Sequence, residues 1–308
     1  MLMFMEGGAM ANILAVIWDF DKTLVDGYMQ DPIFEEYGED PQKFWDEVNA
    51  LPAFYAKQGV QVNKDTIYLN HFIHCIHQGR FEGLNNEKLF ELGSKLKFYP
   101  GIPEIFQETV DFIANNPLYQ KYDIKVEHYI VSTGMKQIIL GSEVMKYVKD
   151  VWGCELIEDE DPRHPGQKVL SELGYTIDIT SKTRALFEIN KGSGIDVNAS
   201  VPHELRRVQF ENMIYIADGP SDIPAFSLTH RNGGSTFAVY PPGDMEAFSQ
   251  VEQMREDGRI DMFAEADYRE GHTAQMWIIN KLREYADRIY QTEHSKLPDQ
   301  NLPQHLHS

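Results

Sequence analysis

The 308-residue sequence has few cysteines, a shortage of basic residues and no long apolar run. Its two cysteines, Cys75 and Cys154, are too few for a disulfide framework or a zinc cluster, so we expect a reducing, cytoplasmic location. Only 28 lysines and arginines stand against 48 aspartates and glutamates, which gives a formal net charge of -20. Because a nucleic-acid backbone requires a basic surface, we expect no nucleic-acid partner.

A membrane-spanning helix needs about 20 consecutive apolar residues, and no stretch of the sequence reaches that length, so we expect no membrane partner. The first 18 residues are rich in apolar side chains, but Glu6 interrupts them and no lysine or arginine precedes Lys22. A secretory signal peptide begins with basic residues, so we expect none here. Met10 is an alternative first residue, in which case residues 1–9 would be an extension.

Short apolar runs rich in branched side chains alternate with helical patterns along most of the chain. Such runs are typical of strands that are covered on both faces, and the intervening helical spacing predicts crossover helices. Together they predict an α/β fold with a Rossmann-like parallel sheet and right-handed connections. The four predicted strands are "NILAVIW" at 12–18, "HYIVS" at 128–132, "MIYIA" at 213–217 and "TFAVY" at 236–240.

The first two predicted strands are separated by far more chain than one crossover helix requires. The surplus, residues 27–98, is rich in aromatic side chains and mostly helical in pattern, which predicts a helical cap domain inserted after the first strand. Residues 10–26 and 99–290 then form the α/β core. Residues 291–308 are polar and contain prolines, which predicts a disordered tail.

Polar residues that could take part in catalysis or ligand binding follow the predicted strands. Asp19 and Asp21 come directly after the first strand, and side chains two apart in extended chain face the same side, where their charges repel unless a cation or a shared proton relieves them. Ligands in parallel α/β sheets bind beyond the carboxyl ends of the strands. The other candidates there or at a helix start are Ser132, Thr133, Gly134, Lys182, Asp218 and Asp222.

The order D-x-D-x-T, strand-end Ser/Thr, Lys and D-G-x-x-D resembles the four motifs of the haloacid dehalogenase superfamily of aspartate-nucleophile phosphohydrolases. The resemblance covers residues 12–25 and 99 to about 290. Through "VSTG" and the position of the insertion, the chain is similar to the phosphoserine-phosphatase branch. In that branch an acid after the first motif binds the substrate amine. Tyr28 occupies the matching position here, which disfavours phosphoserine as the substrate.

Phosphoryl transfer needs an in-line nucleophile, a proton donor for the leaving oxygen and neutralisation of charge. Asp19 suits the nucleophile, and Asp21 suits the general acid and later the general base. The dehalogenase branch of the family resembles a site that has the nucleophilic acid but no second acid. The presence of a second acid here, Asp21, therefore favours a phosphatase. The Ser132 hydroxyl and the backbone N–H groups of Thr133 and Gly134 can bind phosphoryl oxygens. Lys182 would balance the charge of phosphate and Asp19.

The resemblance implies a Mg²⁺ cofactor held by Asp19, the main-chain carbonyl of Asp21 and Asp218, with Asp222 as a further ligand or as support for one. Oxygen ligands of this kind suit Mg²⁺. The expected activity is Mg²⁺-dependent hydrolysis of a small phosphorylated metabolite, a phosphomonoester, through an aspartyl phosphate. Two alternatives stay open: a phosphotransferase or phosphomutase that uses the same aspartyl phosphate, and a non-catalytic binding module.

Each motif residue also has a plainer interpretation. Asp19 and Asp21 could form a turn, Ser132 could be an ordinary strand-end hydroxyl, and Asp222 could cap the helix that follows it. Lys191 is an alternative to Lys182 as the lysine of the third motif. Lys182 stands at the start of an amphipathic helix and therefore matches the family better.

The predicted cap contains two further features of interest. The histidines of "HFIHCIH", at positions 71, 74 and 77, could bind a metal, but we expect a solvated or packed face because no acid or thiolate in the sequence clearly completes a ligand set. The aromatic residues Phe44, Trp45, Phe54 and Tyr55 favour a cap core over a stacking platform.

Overall fold

A computed structural model describes residues 12–296, in which seven strands form one sheet. Across the sheet, all neighbouring strands are parallel except the third and fourth along the chain, which form an antiparallel hairpin. The predicted α/β class and Rossmann-like sheet are confirmed. The strands are β1 (Asn12–Trp18), β2 (Ile124–Met135), β3 (Val148–Glu160), β4 (Lys168–Tyr175), β5 (Met213–Ala217), β6 (Ser235–Tyr240) and β7 (Met262–Glu265), arranged as β4-β3-β2-β1-β5-β6-β7.

The four strands predicted from apolar runs are present, and β1 and β5 have the predicted bounds. Three strands, β3, β4 and β7, were missed. The outer part of β3 is mostly exposed or half-buried, most of β4 alternates half-buried with exposed residues, and β7 has only four residues. None of them therefore produces a continuous apolar run.

Helices cover both faces of the sheet. They are α1 (Asp31–Tyr37), α2 (Pro41–Ala56), α3 (Ile67–His77), α4 (Asn86–Gly93), α5 (Glu104–Ala114), α6 (Pro117–Gln120), α7 (Lys136–Leu140), α8 (Lys182–Lys191), α9 (Ile223–Arg231), α10 (Met245–Glu256) and α11 (Thr273–Ser295). Within residues 12–296, no helix combines the length and apolar character that crossing a membrane would require.

The predicted disordered tail begins too early. Gln291–Ser295 continue α11, where the ring of His294 stacks on Tyr290 at 5.4 Å and its Nδ1 lies 3.1 Å from the Tyr122 hydroxyl. The stacking lies within α11, and the contact with Tyr122 attaches the last turn to the segment before β2 although its sequence is polar. The rest of the predicted tail, and the alternative starts at Met1 and Met10, lie outside the described residues.

The central strand β1 is fully buried from Leu14 to Trp18. Helices α5 and α11 contact each other on one face of the sheet, while α8 and α9 contact each other on the opposite face. Since β1 lies between β2 and β5, the chain segments that follow these three strands meet at one edge of the sheet. The core therefore fixes the position of whatever follows Trp18.

Helices α1 to α4 occupy most of residues 27–98, the predicted cap. Their core is aromatic: Phe44 lies 5.1 Å from Phe34 and 4.4 Å from Phe72 between ring centroids. Of the aromatic residues singled out in the sequence, Phe44 is buried, whereas Phe54 is 55% exposed. Buried residues of this segment belong to the same hydrophobic cluster as those of the sheet, so its independence as a domain stays a prediction.

The β3–β4 hairpin is attached to the helical segment. At its tip, Arg163 Nη2 donates to the carbonyl of Ile76 at 2.7 Å, at the end of α3. Further along, the N–H of Leu170 donates to the carbonyl of Leu84 at 3.0 Å. These bonds connect the edge of the sheet to residues 27–98 at a distance from both chain linkers.

A buried histidine, His128, lies on β2 beside the central strand β1. Trp18 Nε1 donates to His128 Nδ1 at 3.1 Å, so the other ring nitrogen carries the proton of the neutral imidazole and faces Thr109 Oγ1 at 2.9 Å. Burial lowers the pKa of His128 from 6.5 to about 3. The folded protein therefore keeps this histidine neutral in a pH range where an unfolded chain protonates it.

We expect the stability of the protein to fall on acidification partly because of His128. Between pH 6.5 and about 3 the unfolded state binds a proton that the native state does not. The free energy of unfolding therefore falls as the pH falls, by at most about 1.4 kcal/mol per pH unit for one group. Denaturant titrations over this pH range should show that the free energy of unfolding depends less steeply on pH for His128→Gln than for the wild type. The exposed-site control His74→Gln should keep the wild-type slope, and equal slopes for His128→Gln and wild type would contradict the expectation.

Candidate active site

The first acidic motif is held at the carboxyl end of β1. The N–H of Asp19 donates to the carbonyl of Ile216 on β5 at 2.8 Å, which extends the pairing of the two strands by one bond. The chain then turns sharply, because the N–H groups of Leu24 and Val25 both donate to the carbonyl of Phe20. Asp19 is 6% exposed, so its carboxylate lies in the interior and is not a surface turn former.

Lys182 joins the first and last motifs. Its Nζ lies 2.8 Å from Asp19 Oδ1 and 2.7 Å from Asp222 Oδ1, and all three side chains are buried. Burial acts to lower the pKa of this lysine, but the two carboxylates more than offset it and raise the pKa above the ordinary value. The competing residue, Lys191, donates instead to the carbonyl of Ala199 at 2.7 Å. The structure thus brings Lys182 and not Lys191 to the acidic motifs.

Asp222 is fully buried and its oxygens are already occupied. Besides Lys182, the hydroxyl of Tyr215 donates to Oδ1 at 2.5 Å and the hydroxyl of Ser221 donates to Oδ2 at 2.8 Å. Asp222 stands at the N-cap position of α9 but its side chain makes no capping bond, so the helix-cap interpretation is wrong. These bonds connect Asp222 to Lys182 and give each of its oxygens at least one hydrogen-bond donor.

Carboxylates from the two acidic motifs converge. Asp19, Asp218 and Asp222 each offer an oxygen within 4.8 Å of the others, with Lys182 as the cation bonded to Asp19 and Asp222. Burial raises the pKa of Asp19 to about 6, although Lys182 opposes the rise. Burial and the charge of Asp19 raise the pKa of Asp218 to about 7. The excess of negative charge and the oxygen donors fit a hard divalent cation.

Asp21 stands apart from these carboxylates. The N–H of Met29 donates to its Oδ1 at 2.8 Å, and its side chain is not part of the convergent group. Its expected contribution to a metal site is the main-chain carbonyl, and that contact stays a prediction. Burial and the charge of Asp19 raise the pKa of Asp21 well above its ordinary value. A raised pKa lets a carboxyl group keep its proton at a higher pH than usual, which suits general acid catalysis.

The second motif lies beside the first. Ile130 pairs with Trp18 across β1 and β2, so Ser132 is placed next to the segment that carries Asp19 and Asp21. Ser132 is buried, and its Oγ accepts the N–H of Gly134 at 3.0 Å. A Cβ atom at Gly134 would lie 2.1 Å from Cε of Met29, so a larger residue there would displace the end of the Met29 side chain.

Sequence reasoning missed several residues of this region. The hydroxyl of Tyr68, on α3, donates to the carbonyl of Thr133 at 3.1 Å, and Met29 Sδ accepts the N–H of Met135 at 3.0 Å. Neither residue belongs to a motif, and both lie far along the chain from their partners. Tyr215 offered a signal, since a tyrosine within a buried apolar strand needs a partner for its hydroxyl.

The histidines of α3 separate into two environments. His71 Nε2 lies 2.8 Å from Glu47 Oε2 and 3.5 Å from Cys75 Sγ, whereas His74 and His77 are exposed. An acid and a thiol therefore do meet one histidine, contrary to the expectation from sequence. Arg80 Nη1 donates to both, at 2.5 Å and 3.3 Å. Because the guanidinium already supplies the positive charge, the group has the character of a packed ion-pair network.

No family model matches the chain. The chain is 38% identical over 283 residues, or 88% of its length, to an uncharacterized protein of Borreliella burgdorferi, of which the match covers 97%. Among solved structures it is similar to a probable phosphoserine phosphatase of Vibrio cholerae, with a TM-score of 0.50 at 12% identity over 91% of this chain and 69% of that one. A hydrolase of the haloacid dehalogenase family from Salmonella enterica has a TM-score of 0.49 at 16% identity, over 82% of this chain and 67% of that one.

The likeness to the Vibrio cholerae protein shows a fold of the phosphoserine-phosphatase-like, haloacid dehalogenase type, as the motifs implied. At 38% identity over most of both chains, the chain belongs to the same family as the Borreliella burgdorferi protein.

Proposed function

We propose that the protein is a Mg²⁺-dependent phosphatase that hydrolyses a small phosphomonoester through a phosphoryl group carried by Asp19. The observation that carries this proposal is the buried contact of Lys182 with Asp19 and Asp222, beside a third carboxylate, Asp218. A lysine held against a buried carboxylate keeps that carboxylate ionised, and an ionised carboxylate is a nucleophile. A turn or a helix cap would not require such an arrangement.

The chemistry divides between the two acids of the first motif. An Asp19 oxygen attacks phosphorus in line, the bond from phosphorus to the leaving oxygen breaks, and Asp21 gives its proton to the departing alkoxide. Asp21 then takes a proton from water, the water oxygen attacks phosphorus, and the bond to Asp19 breaks, which releases phosphate and restores both acids. The raised pKa of Asp21 supports this role, because the group must begin the cycle protonated.

Other residues of the site neutralise and hold the phosphoryl group. Lys182 would balance its charge, while the Ser132 hydroxyl and the N–H of Thr133 would bind its oxygens. The N–H of Gly134 would join them by exchanging its bond to Ser132 Oγ for one to the phosphoryl group. Asp19, Asp218 and the main-chain carbonyl of Asp21 would hold Mg²⁺, and Asp222 would support Lys182. When bound, the ion supplies charge neutralisation to the phosphoryl oxygens and relieves the repulsion among the carboxylates.

The helical segment 27–98 is proposed to act as a cap that excludes water during the first step. Its support is the contact of Tyr68, within that segment, with the phosphate-binding strand end at Thr133. A segment that covers the site favours small substrates. The thiols of Cys75 and Cys154 are both buried and unpaired within the described residues, which suits a reducing cytoplasmic location.

The test is phosphate release from p-nitrophenyl phosphate and from a panel of phosphorylated metabolites, with Mg²⁺ and after its removal by EDTA. We expect turnover that disappears with EDTA and returns when Mg²⁺ is added, because the carboxylates repel one another without a cation. Hydroxylamine should capture the phosphorylated enzyme as an Asp19 hydroxamate. Transfer to added sugar phosphates in preference to water would favour the phosphotransferase alternative. Metal binding without turnover on any substrate would contradict both enzymatic functions.

A further inference from the structure

Gln30 is a buried polar residue that the proposed reaction does not use. It is 3% exposed, and its side-chain oxygen Oε1 has no hydrogen-bond partner among residues 12–296. A buried carbonyl without a partner costs about 1–3 kcal/mol, so such a group needs a reason. The helix it precedes gives none, because Gln30 stands at the N-cap position of α1 and makes no side-chain capping bond.

The surroundings of Gln30 are those of the proton donor. The preceding residue, Met29, donates its N–H to the carboxylate of Asp21. The hydroxyl of Tyr68, whose pKa the Gln30 side chain acts to lower, donates to the carbonyl of Thr133 at 3.1 Å. Burial raises the pKa of Tyr68 well above its ordinary value, with smaller contributions from Cys154 and Asp21, while Gln30 opposes the rise. Gln30 and Tyr68 thus lie near Asp21 and the phosphate-binding strand end.

We propose that Gln30 is a specificity-determining residue whose side-chain oxygen accepts a hydrogen bond from the alcohol portion of the substrate, with Tyr68 fixing the amide. This inference rests on the proposed function. The leaving oxygen must lie next to Asp21 to receive its proton, so the atoms attached to that oxygen extend into the region that Gln30 and Tyr68 border. The substrate class is a phosphomonoester whose leaving group carries a hydroxyl or amino donor a short distance from the phosphate.

Aromatic rings of the helical segment and a lysine of the first motif lie close to one another. The Trp45 ring lies 5.7 Å from Tyr68 and 6.1 Å from Tyr28 between centroids. Lys22 Nζ lies 4.6 Å from the centroid of the Tyr28 ring. The leaving group would therefore meet aromatic faces and a cation as well as the acids of the first motif.

The experiment compares pairs of esters that differ in one donor. 3-Hydroxypropyl phosphate is paired with propyl phosphate, and phosphoethanolamine with ethyl phosphate. For the wild type we expect kcat/KM to favour the donor-bearing member of at least one pair. In Gln30→Leu we expect this preference to fall about tenfold, because one hydrogen bond is lost and the donor is left unpaired. Gln30→Glu keeps an accepting oxygen and should retain the preference, with a gain for phosphoethanolamine.

Thr229→Val is the matched control. Thr229 is also buried with an unpartnered side-chain oxygen within residues 12–296, but it packs beside Gly234, near the amino ends of β5 and β6. It should leave every preference unchanged. Thermal unfolding of each variant checks its fold, and Tyr68→Phe gives a second route if Gln30→Leu does not fold, with the same fall expected.

The outcomes distinguish a failure of the Gln30 role from a failure of the proposed function. Wild-type turnover with an unchanged preference in Gln30→Leu, or a wild-type preference for the donor-free esters, would overturn the role of Gln30 and leave the phosphatase intact. An absence of turnover on every ester, including p-nitrophenyl phosphate, would overturn the proposed function itself, and with it the role of Gln30.

Discussion

Replacing Asp19 by Asn should abolish phosphate release, with a loss in kcat of about 10⁴-fold or more. An amide cannot carry the phosphoryl group, and hydroxylamine should then capture no hydroxamate. The fold should survive, because Asn has the same shape and Lys182 keeps its bond to Asp222. Steady-state phosphate release, mass spectrometry after hydroxylamine treatment and thermal unfolding together measure the three effects.

Asp26→Asn is the control for Asp19→Asn. Asp26 follows the same motif but is exposed, so this change should leave turnover within about twofold of the wild type. If Asp19→Asn kept a tenth or more of the wild-type rate, the phosphoryl group would have to travel by another route, and the assignment of the nucleophile would be wrong.

Replacing Lys182 by Met should lower both stability and activity. Removing one partner of a buried ion pair typically costs about 3–5 kcal/mol, because the remaining charges stay buried without compensation. Asp19 and Asp222 are the charges left behind, and both are buried. The loss of a charge that faces the phosphoryl group should reduce kcat/KM by about 10²–10³-fold. Urea unfolding and steady-state kinetics in Mg²⁺ measure the two effects.

The stability loss of Lys182→Met should depend on pH in a defined direction. The pKa of Asp19 is already raised to about 6 by burial against the opposing effect of Lys182, and it should rise further without the lysine. At pH 5 the carboxyl group is protonated and loses little, whereas at pH 8 it must ionise without its partner. The difference between wild type and variant should therefore grow from pH 5 to pH 8.

Lys191→Met supplies the matched control on the same helix. Lys191 donates only to main-chain carbonyls of the loop after α8, including that of Ala199, so its removal should leave kcat/KM near the wild-type value. If Lys191→Met and Lys182→Met lost activity equally, the sequence-based choice between the two lysines would have no chemical meaning.

Residues whose environment is set by an uninterrupted apolar run could be placed from sequence. The apolar run at 12–18 predicts β1 in this way. Because parallel strands end at a common edge of the sheet, the residues after β1, β2 and β5 had to meet there. The proximity of Asp19 to Asp218 follows from that rule. The contact of Lys182 followed only from the resemblance of its helix to a family motif, since α8 could have begun elsewhere.

Residues that depend on tertiary contacts could not be placed in this way. Asp222 could be read as a ligand, a support or a cap, and only the bonds from Lys182, Tyr215 and Ser221 distinguish these. Tyr68 lies in a segment whose apolar spacing explains its burial and gives no sign of its hydroxyl bond to Thr133. Local periodicity contains no information about a partner 65 residues away.

Bonds from the β3–β4 hairpin, among them those of Arg163 and Leu170, give the helical segment a third point of attachment. Asn86 adds two more, to the carbonyl of Leu156 and to the Glu158 carboxylate. If the segment moves to admit a substrate, it must break these bonds or carry the hairpin with it. In the second case the bend falls where β3 leaves β2 and begins to pair with β4, next to Cys154. The Cys154 thiol donates to the carbonyl of Thr133 at 3.3 Å. A rotation of the hairpin at this point would therefore shift the strand end that we propose binds phosphate.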